Sequence, residues 1–249
     1  DIYSPYPEEF NRQAVGIIAK YNFAPTELAK KHLLDEGKNP DSIYVTGNTV
    51  IDALFHITNK IEQDNLLMEK LSLQFSWLDK SKKLVLITCH RRENFGEGIN
   101  NIIKAIKIIA QRPDIQIAIS VHPNPNIKEL IFNHLKNTQN IFLLPPQEYI
   151  SFVFLMKNSY LILTDSGGIQ EEAPALGIPV LVMRNHTERQ EAISSGLAKL
   201  IGLNTTNIVE ETNNILDNNN IFQIKSIKNI YGDSLASERI YEALKSQYL

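Results

Sequence analysis

The sequence predicts an α/β protein whose larger part is a doubly wound parallel sheet. Two features carry that expectation. From about residue 84 short apolar runs alternate with amphipathic stretches, and the runs are apolar at successive positions rather than at every second one. Strands that are apolar on both faces and separated by helices belong to a parallel sheet covered on both sides.

In chain order, residues 84–88 read as the first buried strand and 99–111 as a helix with apolar positions at helical spacing. The strand signal returns at 115–121, 141–144, 160–164, 179–183 and 198–201, with helices at 126–136, 148–157, 168–176, 187–195 and 206–217. An Asn-rich segment at 213–220 reads as a loop, and 233–247 as a final helix capped by Asp233 or Ser234. The first fifty residues differ: Pro5, Pro7 and Pro25 punctuate a helix near 8–19, a short strand near 20–23 and a helix over 26–36. A strand at 42–46 ends at Gly47-Asn48, a helix covers about 49–62, and a polar, weakly patterned stretch runs on to 83 as a hinge. The expected division is an incomplete first domain, 1–48, followed by a complete one, 49–249, that includes the hinge and the terminal helix.

Composition narrows the function classes. A chain of 249 residues with 43% hydrophobic content can bury a sizeable core. A net charge of −3 with mixed signs gives no electrostatic case for nucleic acid or an anionic membrane. No apolar run approaches the ~20 residues that cross a bilayer, and no signal-peptide pattern opens the chain. The single cysteine, Cys89, excludes an intramolecular disulfide and fits a reducing, cytoplasmic compartment. The chain opens on Asp1, directly in a motif-like segment, and is expected to be a fragment.

Open α/β sheets bind their ligands beyond the carboxyl ends of the strands, so the residues that follow each strand matter most. They are His90-Arg-Arg-Glu93, His122-Pro-Asn-Pro-Asn126, Asp165-Ser-Gly-Gly168 and Arg184-Asn-His-Thr-Glu-Arg189. Ser166, Gly167 and Gly168 precede a helix; glycine lets a phosphate approach the backbone, and the helix offers unpaired N–H groups. Glu171 or Glu172, one turn on, is placed to accept from both ribose hydroxyls. The same residues also read as a plain strand-to-helix turn with Ser166 as N-cap. His90, Arg91 and Arg92 make either an anion site oriented by Glu93 or a solvated charge cluster. His122 reads as a structural histidine or a site residue, and Glu8-Glu9 as helix-start charges. No spacing suggests zinc, and no Walker-type or Gly-x-Gly-x-x-Gly fingerprint is present.

Taken together the segments resemble the non-hydrolysing UDP-N-acetylglucosamine 2-epimerases. The matching stretches are Ser4-Pro-Tyr-Pro-Glu-Glu9 with Asn11-Arg12, Thr46-Gly-Asn-Thr-Val-Ile-Asp52, His90-Arg-Arg-Glu-Asn-Phe-Gly96, Val121-His-Pro-Asn-Pro-Asn126, Pro146-Gln-Glu-Tyr149, 164–174 and Thr187-Glu-Arg189. The resemblance implies two Rossmann-like domains of glycosyltransferase-B type, the second complete and the first partial. It implies interconversion of UDP-GlcNAc and UDP-ManNAc without a cofactor or metal, by elimination of UDP to 2-acetamidoglucal and re-addition. By position it implies Glu8 and His90 as catalytic, and Phe152, Ser166, Gly167, Gly168, Glu172 and Arg189 as substrate-binding. Arg91, His122, Glu9 and Arg12 match positions linked to a regulatory UDP-GlcNAc, and a homodimer is the family pattern. Roughly the first third of a typical member, with further catalytic carboxylates, has no counterpart here, so the chain alone is expected to bind UDP better than it epimerises. A hydrolysing relative that releases ManNAc and UDP, and a non-catalytic UDP-sugar-binding module, are the alternatives.

Overall fold

The computed structural model describes residues 2–3, 6–91, 94, 96–196, 198–218 and 230–248. The chain divides into two compact units, residues 1–53 with 228–249, and residues 54–227.

The first unit contains α1 (Glu8–Ile18), β1 (Asn22–Ala24), α2 (Glu27–Asp35), a 3-10 turn (Pro40–Ser42), β2 (Ile43–Val45), the start of α3 (Thr49–Gln63) and the terminal helix α11 (Ala236–Tyr248). β1 and β2 pair in parallel, Phe23 opposite Tyr44, with α2 as the crossover. Thr26 starts α2 by accepting the Ala29 N–H at 3.0 Å.

The family-like segment 46–52 holds the end of the chain. Gly47 has φ +89°, and a Cβ there would meet the Gly232 Cα at 3.2 Å, so only glycine serves both the dihedral and the close approach. The Asn48 N–H donates to the Tyr231 carbonyl at 2.6 Å. The Asp52 carboxylate accepts the N–H groups of Ala236 (3.2 Å) and Ser237 (2.6 Å), capping α11. The expected caps therefore give way to a residue 184 positions earlier in the chain. Asp233 instead holds Arg239 with two bonds of 2.6 Å. The terminal helix belongs to the first unit, not to the second as its sequence position predicts.

The second unit adds α4 (Asn65–Gln74), β3 (Lys83–Cys89), α5 (Glu97–Ile109), β4 (Ile115–Val121), α6 (Pro125–Leu135), β5 (Ile141–Leu144), α7 (Tyr149–Lys157), β6 (Leu161–Thr164), α8 (Ile169–Ala175), β7 (Val180–Val182), α9 (Gln190–Ser194), β8 (Ala198–Leu200) and α10 (Thr205–Asp217). All six strands are parallel in the order β5-β4-β3-β6-β7-β8, the order of a complete Rossmann sheet, with the chain reversing direction of growth between β3 and β6. Val85, Ile87 and Cys89, with Ile115, Ile117 and Ile119, face a core built by Ile99, Ile102 and Ile106 of α5 and Ile208 and Leu216 of α10. The alternate residues Leu84, Leu86 and Ala118 are equally buried on the opposite face, which is why the runs show no polar alternation.

Two further expectations need correction. The polar stretch expected as a hinge contains α4, capped by Asp64 accepting the Leu67 N–H at 3.0 Å, and Phe75 at its end stacks on Phe154 of α7 with centroids 5.6 Å apart. Asn213 and Asn214, expected in a loop, lie within α10, whose apolar residues Ile215 and Leu216 anchor them in the helix; Asn219 and Asn220 lie outside the described residues. Among the described residues no helix is long and apolar enough to cross a membrane.

Candidate functional site

The carboxyl ends of β3 and β6 are neighbours at the reversal of the sheet. The buried hydroxyls of Thr88 and Thr164 bridge them at 2.6 Å. Immediately beyond lies Asp165, fully buried at 0% exposure. Its Oδ2 accepts the backbone N–H groups of His90 (2.9 Å) and Arg91 (2.8 Å) and the Asn94 side-chain amide (2.9 Å). Its Oδ1 lies 3.0 Å from His90 Nδ1, where the carboxylate charge would repel the lone pair of an unprotonated ring nitrogen. Burial alone pushes the Asp165 carboxyl up; the His90 ring and the N–H groups of Arg91 and His90 outweigh it and hold it below the ordinary range. An ionised carboxylate only accepts, so the proton of His90 belongs on Nδ1, and Nε2 is the nitrogen available for chemistry.

His122, at the end of β4, stacks beside His90 with ring centroids 5.8 Å apart and planes 19° from parallel. Its Nδ1 accepts the Asn124 N–H at 3.2 Å, which puts its proton on Nε2. The two histidines thus carry opposite tautomers.

Three arginines converge beyond β6 and β7. Glu188 links them: its carboxylate lies 2.8 Å from Arg184 Nη1, 3.4 Å from Arg91 Nη2 and 3.9 Å from Arg189 Nη1. Burial pushes the Glu188 carboxyl up, but its own backbone N–H and the arginines hold it below the ordinary range. The cluster lies over Gly167, where a Cβ would fall 2.9 Å from Glu188 Oε1, 3.6 Å from Arg91 Nη2 and 3.8 Å from Arg189 Nη2. Gly167 is therefore a glycine because charged groups lie against its backbone. Ser166 does not cap α8; its N–H donates to Thr164 Oγ1 at 2.9 Å, and Gly168 takes the N-cap position. Among the described residues the N–H groups of Gly167 and Gly168 make no hydrogen bond. With α8 only seven residues long, the arginines rather than a helix dipole supply the positive potential.

Two buried carboxylates follow in α8. Glu171 pairs with Arg189, and Glu172 Oε2 accepts the Tyr149 hydroxyl at 2.7 Å. Burial holds the Glu172 carboxyl above its ordinary value; the Tyr149 bond opposes this and the charge of Glu171 adds to it. Burial and Glu172 push the Tyr149 phenol up in turn. Half-buried Phe152 follows Tyr149 by one turn of α7, which puts both rings on one side of that helix. The buried Thr187 hydroxyl donates to Gln170 Oε1 at 2.6 Å and ties α8 to the loop carrying Glu188 and Arg189. The Cys89 thiol, buried beside Asp165, is pushed well above its ordinary value by burial and by that charge.

The structure thus gathers His90, Arg91, His122, Ser166, Gly167, Gly168, Glu172, Arg189 and Phe152 in one unit, on the edge that the sequence singled out. Glu8, Glu9 and Arg12 belong to the other, along a cavity of about 870 Å³ between α1, β1 and α2. Arg12 grips both Glu9 oxygens, at 2.7 and 2.6 Å, and also pairs with Glu36. The Arg12 contact brings the Glu9 carboxyl down to about 2. Glu9 and Arg12 therefore tie α1 to α2, while Glu8 is exposed in the first turn of α1. Arg92, Glu93 and Phe95, like Ser4 and Pro5, lie outside the described residues.

Sequence reasoning gave no role to Asp165, Glu188 or Tyr149, although all three fall within the quoted segments. A readable signal exists for Asp165: a lone carboxylate that follows the apolar run Leu161-Ile-Leu163 and Thr164 at the carboxyl edge of the sheet.

The model of the family described as UDP-N-acetylglucosamine 2-epimerase matches residues 1–245. The UDP-N-acetylglucosamine 2-epimerase of Yersinia pestis is 48% identical over 248 residues, covering 99% of this chain and 66% of that protein. This chain thus spans just under two thirds of the length of that protein and of the Escherichia coli relatives, which it covers to the same share. Among solved structures, the Neisseria meningitidis UDP-GlcNAc 2-epimerase bound to UDP-GlcNAc superposes with a TM-score of 0.93 at 43% identity, covering 99% of this chain and 67% of that one. The Staphylococcus aureus MnaA–UDP co-structure gives 0.88 at 41% identity, covering 100% and 66%. The architecture is the α/β, glycosyltransferase-B type anticipated above, with the second Rossmann-like unit complete and the first represented, among the described residues, by two strands. On these grounds, the chain belongs to the UDP-N-acetylglucosamine 2-epimerase family.

Proposed function

We propose that this chain is the nucleotide-holding part of a UDP-GlcNAc 2-epimerase that interconverts UDP-GlcNAc and UDP-ManNAc. The observation that carries the reading is the arginine cluster over Gly167, beside a histidine whose tautomer Asp165 fixes, at the switch point of a Rossmann sheet. Relatives of the same family have been solved with UDP-GlcNAc and with UDP.

Inversion at C2 without oxidation proceeds by elimination. A base takes the C2 proton, the C1–O bond breaks with its electron pair going to the departing diphosphate, and a C1=C2 double bond remains. UDP then adds back at C1 while a proton reaches the other face of C2. Arg91, Arg184 and Arg189 provide the positive charge that a leaving diphosphate needs. The N–H groups of Gly167 and Gly168 are further donors to it. Glu172 accepts from the ribose hydroxyls, and Phe152 forms a wall for the uracil. His90, with its proton on Nδ1, presents Nε2 to the reacting end, and Glu8 is the catalytic carboxylate of the first unit. Arg91 and His122 on the same edge favour the non-hydrolysing form, and the resemblance supports a cytoplasmic homodimer.

Calorimetric titration with UDP tests this reading. Glu172→Gln should weaken UDP about tenfold, because a carboxylate accepts from two hydroxyls better than an amide does, and should change 2′,3′-dideoxy-UDP less than twofold. In the protein of full family length, NMR in D2O should show deuterium at C2 and UDP-ManNAc as product; free ManNAc would assign the hydrolysing form instead. No heat and no thermal shift with saturating UDP would remove the nucleotide reading.

A further inference from the structure

We propose that Glu188 is the residue that limits how tightly the site holds a nucleoside diphosphate, because its carboxylate occupies the anion position on the arginines. The proposal rests on the nucleotide reading above and adds a competitor built into the chain. Three observations place Glu188 there. Its carboxylate lies within reach of Arg184, Arg91 and Arg189, at 2.8, 3.4 and 3.9 Å. Its Oε1 lies 2.9 Å from the position of a Gly167 Cβ, the spot where the absence of a side chain lets an anion meet the backbone. The loop that bears it is fastened to α8 by the Thr187–Gln170 bond of 2.6 Å, so the carboxylate is delivered to that spot rather than trailing in solvent.

A diphosphate oxygen and a Glu188 oxygen cannot both fill the space over Gly167. Binding is therefore an exchange: the diphosphate takes the guanidiniums and Glu188 turns out to water, which its 37% side-chain exposure permits. Rotating a glutamate outward costs little, but the anion it surrenders to must first match its charge-assisted bonds. A ligand with two adjacent phosphates brings more charge than one carboxylate and wins; a nucleoside without phosphate leaves Glu188 in place. Glu188 thus keeps the arginines ordered and charge-balanced, lowers the affinity for UDP, and returns when UDP leaves. For a reaction that must both hold and release UDP, tight binding of the free diphosphate is a handicap.

The experiment measures UDP, inorganic pyrophosphate and uridine binding to the native chain and to Glu188→Gln by calorimetry at fixed ionic strength. Loss of one charge-assisted contact corresponds to about tenfold. Glu188→Gln should bind UDP and pyrophosphate about tenfold more tightly and uridine within twofold of native. Equal or weaker binding of UDP and pyrophosphate by the variant overturns the proposal and makes Glu188 a scaffold for the arginines. Tighter pyrophosphate binding with no UDP binding by either protein keeps the competitor and removes the nucleotide reading instead. Should Glu188→Gln fold poorly, Glu188→Ala, which removes both charge and acceptor, must show the same direction for pyrophosphate.

Discussion

Replacing Asp165 by asparagine changes one atom behind His90 and reverses what that atom can do. In the native chain Oδ2 collects three N–H donors, from His90, Arg91 and Asn94, at 2.8–2.9 Å. An asparagine oxygen can keep those three bonds, but as a neutral acceptor. A bond to a charged group contributes about 1.5–3 kcal/mol and a neutral one about 0.5–1.5 kcal/mol, so about 1 kcal/mol is lost per bond, offset in part because no charge is buried. The net loss should be about 2 kcal/mol, or roughly 4–8 °C in melting temperature for a chain of this size. The amide NH2 then faces His90 Nδ1, where Oδ1 now lies 3.0 Å away, and forces that nitrogen to accept. The ring proton moves to Nε2, which can then no longer accept a proton. Selective 15N labelling of histidine reads the tautomer directly, and UDP binding should change little, because the arginines stay in place. Stability also carries a sign: a carboxyl held low contributes above about pH 4 and loses that contribution as pH falls below it, so native and variant should converge in acid. An unchanged His90 tautomer in Asp165→Asn would refute the reasoning.

Two further outcomes follow from other contacts. Asp52→Ala removes both side-chain bonds to the start of α11 and should cost about 1–2 kcal/mol in denaturant unfolding, with hydrogen exchange rising first in 236–240; unchanged exchange there would discount the cap. Tyr149→Phe removes the bond that opposes the upward push on Glu172, so the carboxylate form should persist only at higher pH. On the proposed ribose role of the Glu172 carboxylate, UDP affinity should then fall at a higher pH on acidification than in the native chain, and coincident profiles would detach Tyr149 from the site.

The larger unit was nearly all legible because both faces of its sheet are covered: the runs at 115–121 and 141–144 match β4 and β5 residue for residue. α4 was not legible because its apolar residues follow no clear helical stripe; Leu66 and Leu73 point to solvent at 79% and 69% exposure. The site's cations and glycines could be read from their place after the strands, since that edge is set by topology. Its carboxylates could not be sorted. Nothing in the order of residues says that Asp165 turns inward to His90, that Glu188 turns across to the arginines, or that Glu171 and Glu172 take different partners. Those choices depend on which cation each side chain reaches in three dimensions. The same limit hid the cap on α11, since no local pattern links Asp52 to Ala236.

That long-range cap has a bearing on how the molecule is made. The first unit is assembled from two segments, 1–53 and 228–249, and the whole second unit is threaded between them. At ~5–20 residues per second a ribosome takes roughly 9–35 seconds to cross that interval. During it the segment around Gly47 and Asp52 has left the ribosome without the helix it is shaped to receive, while the Rossmann sheet already has all its strands. The first unit, though its residues 1–53 are translated before the second unit, therefore closes after it, and a ribosome stalled or a chain clipped before Ala236 leaves its damage there rather than in the sheet that carries His90 and the arginines.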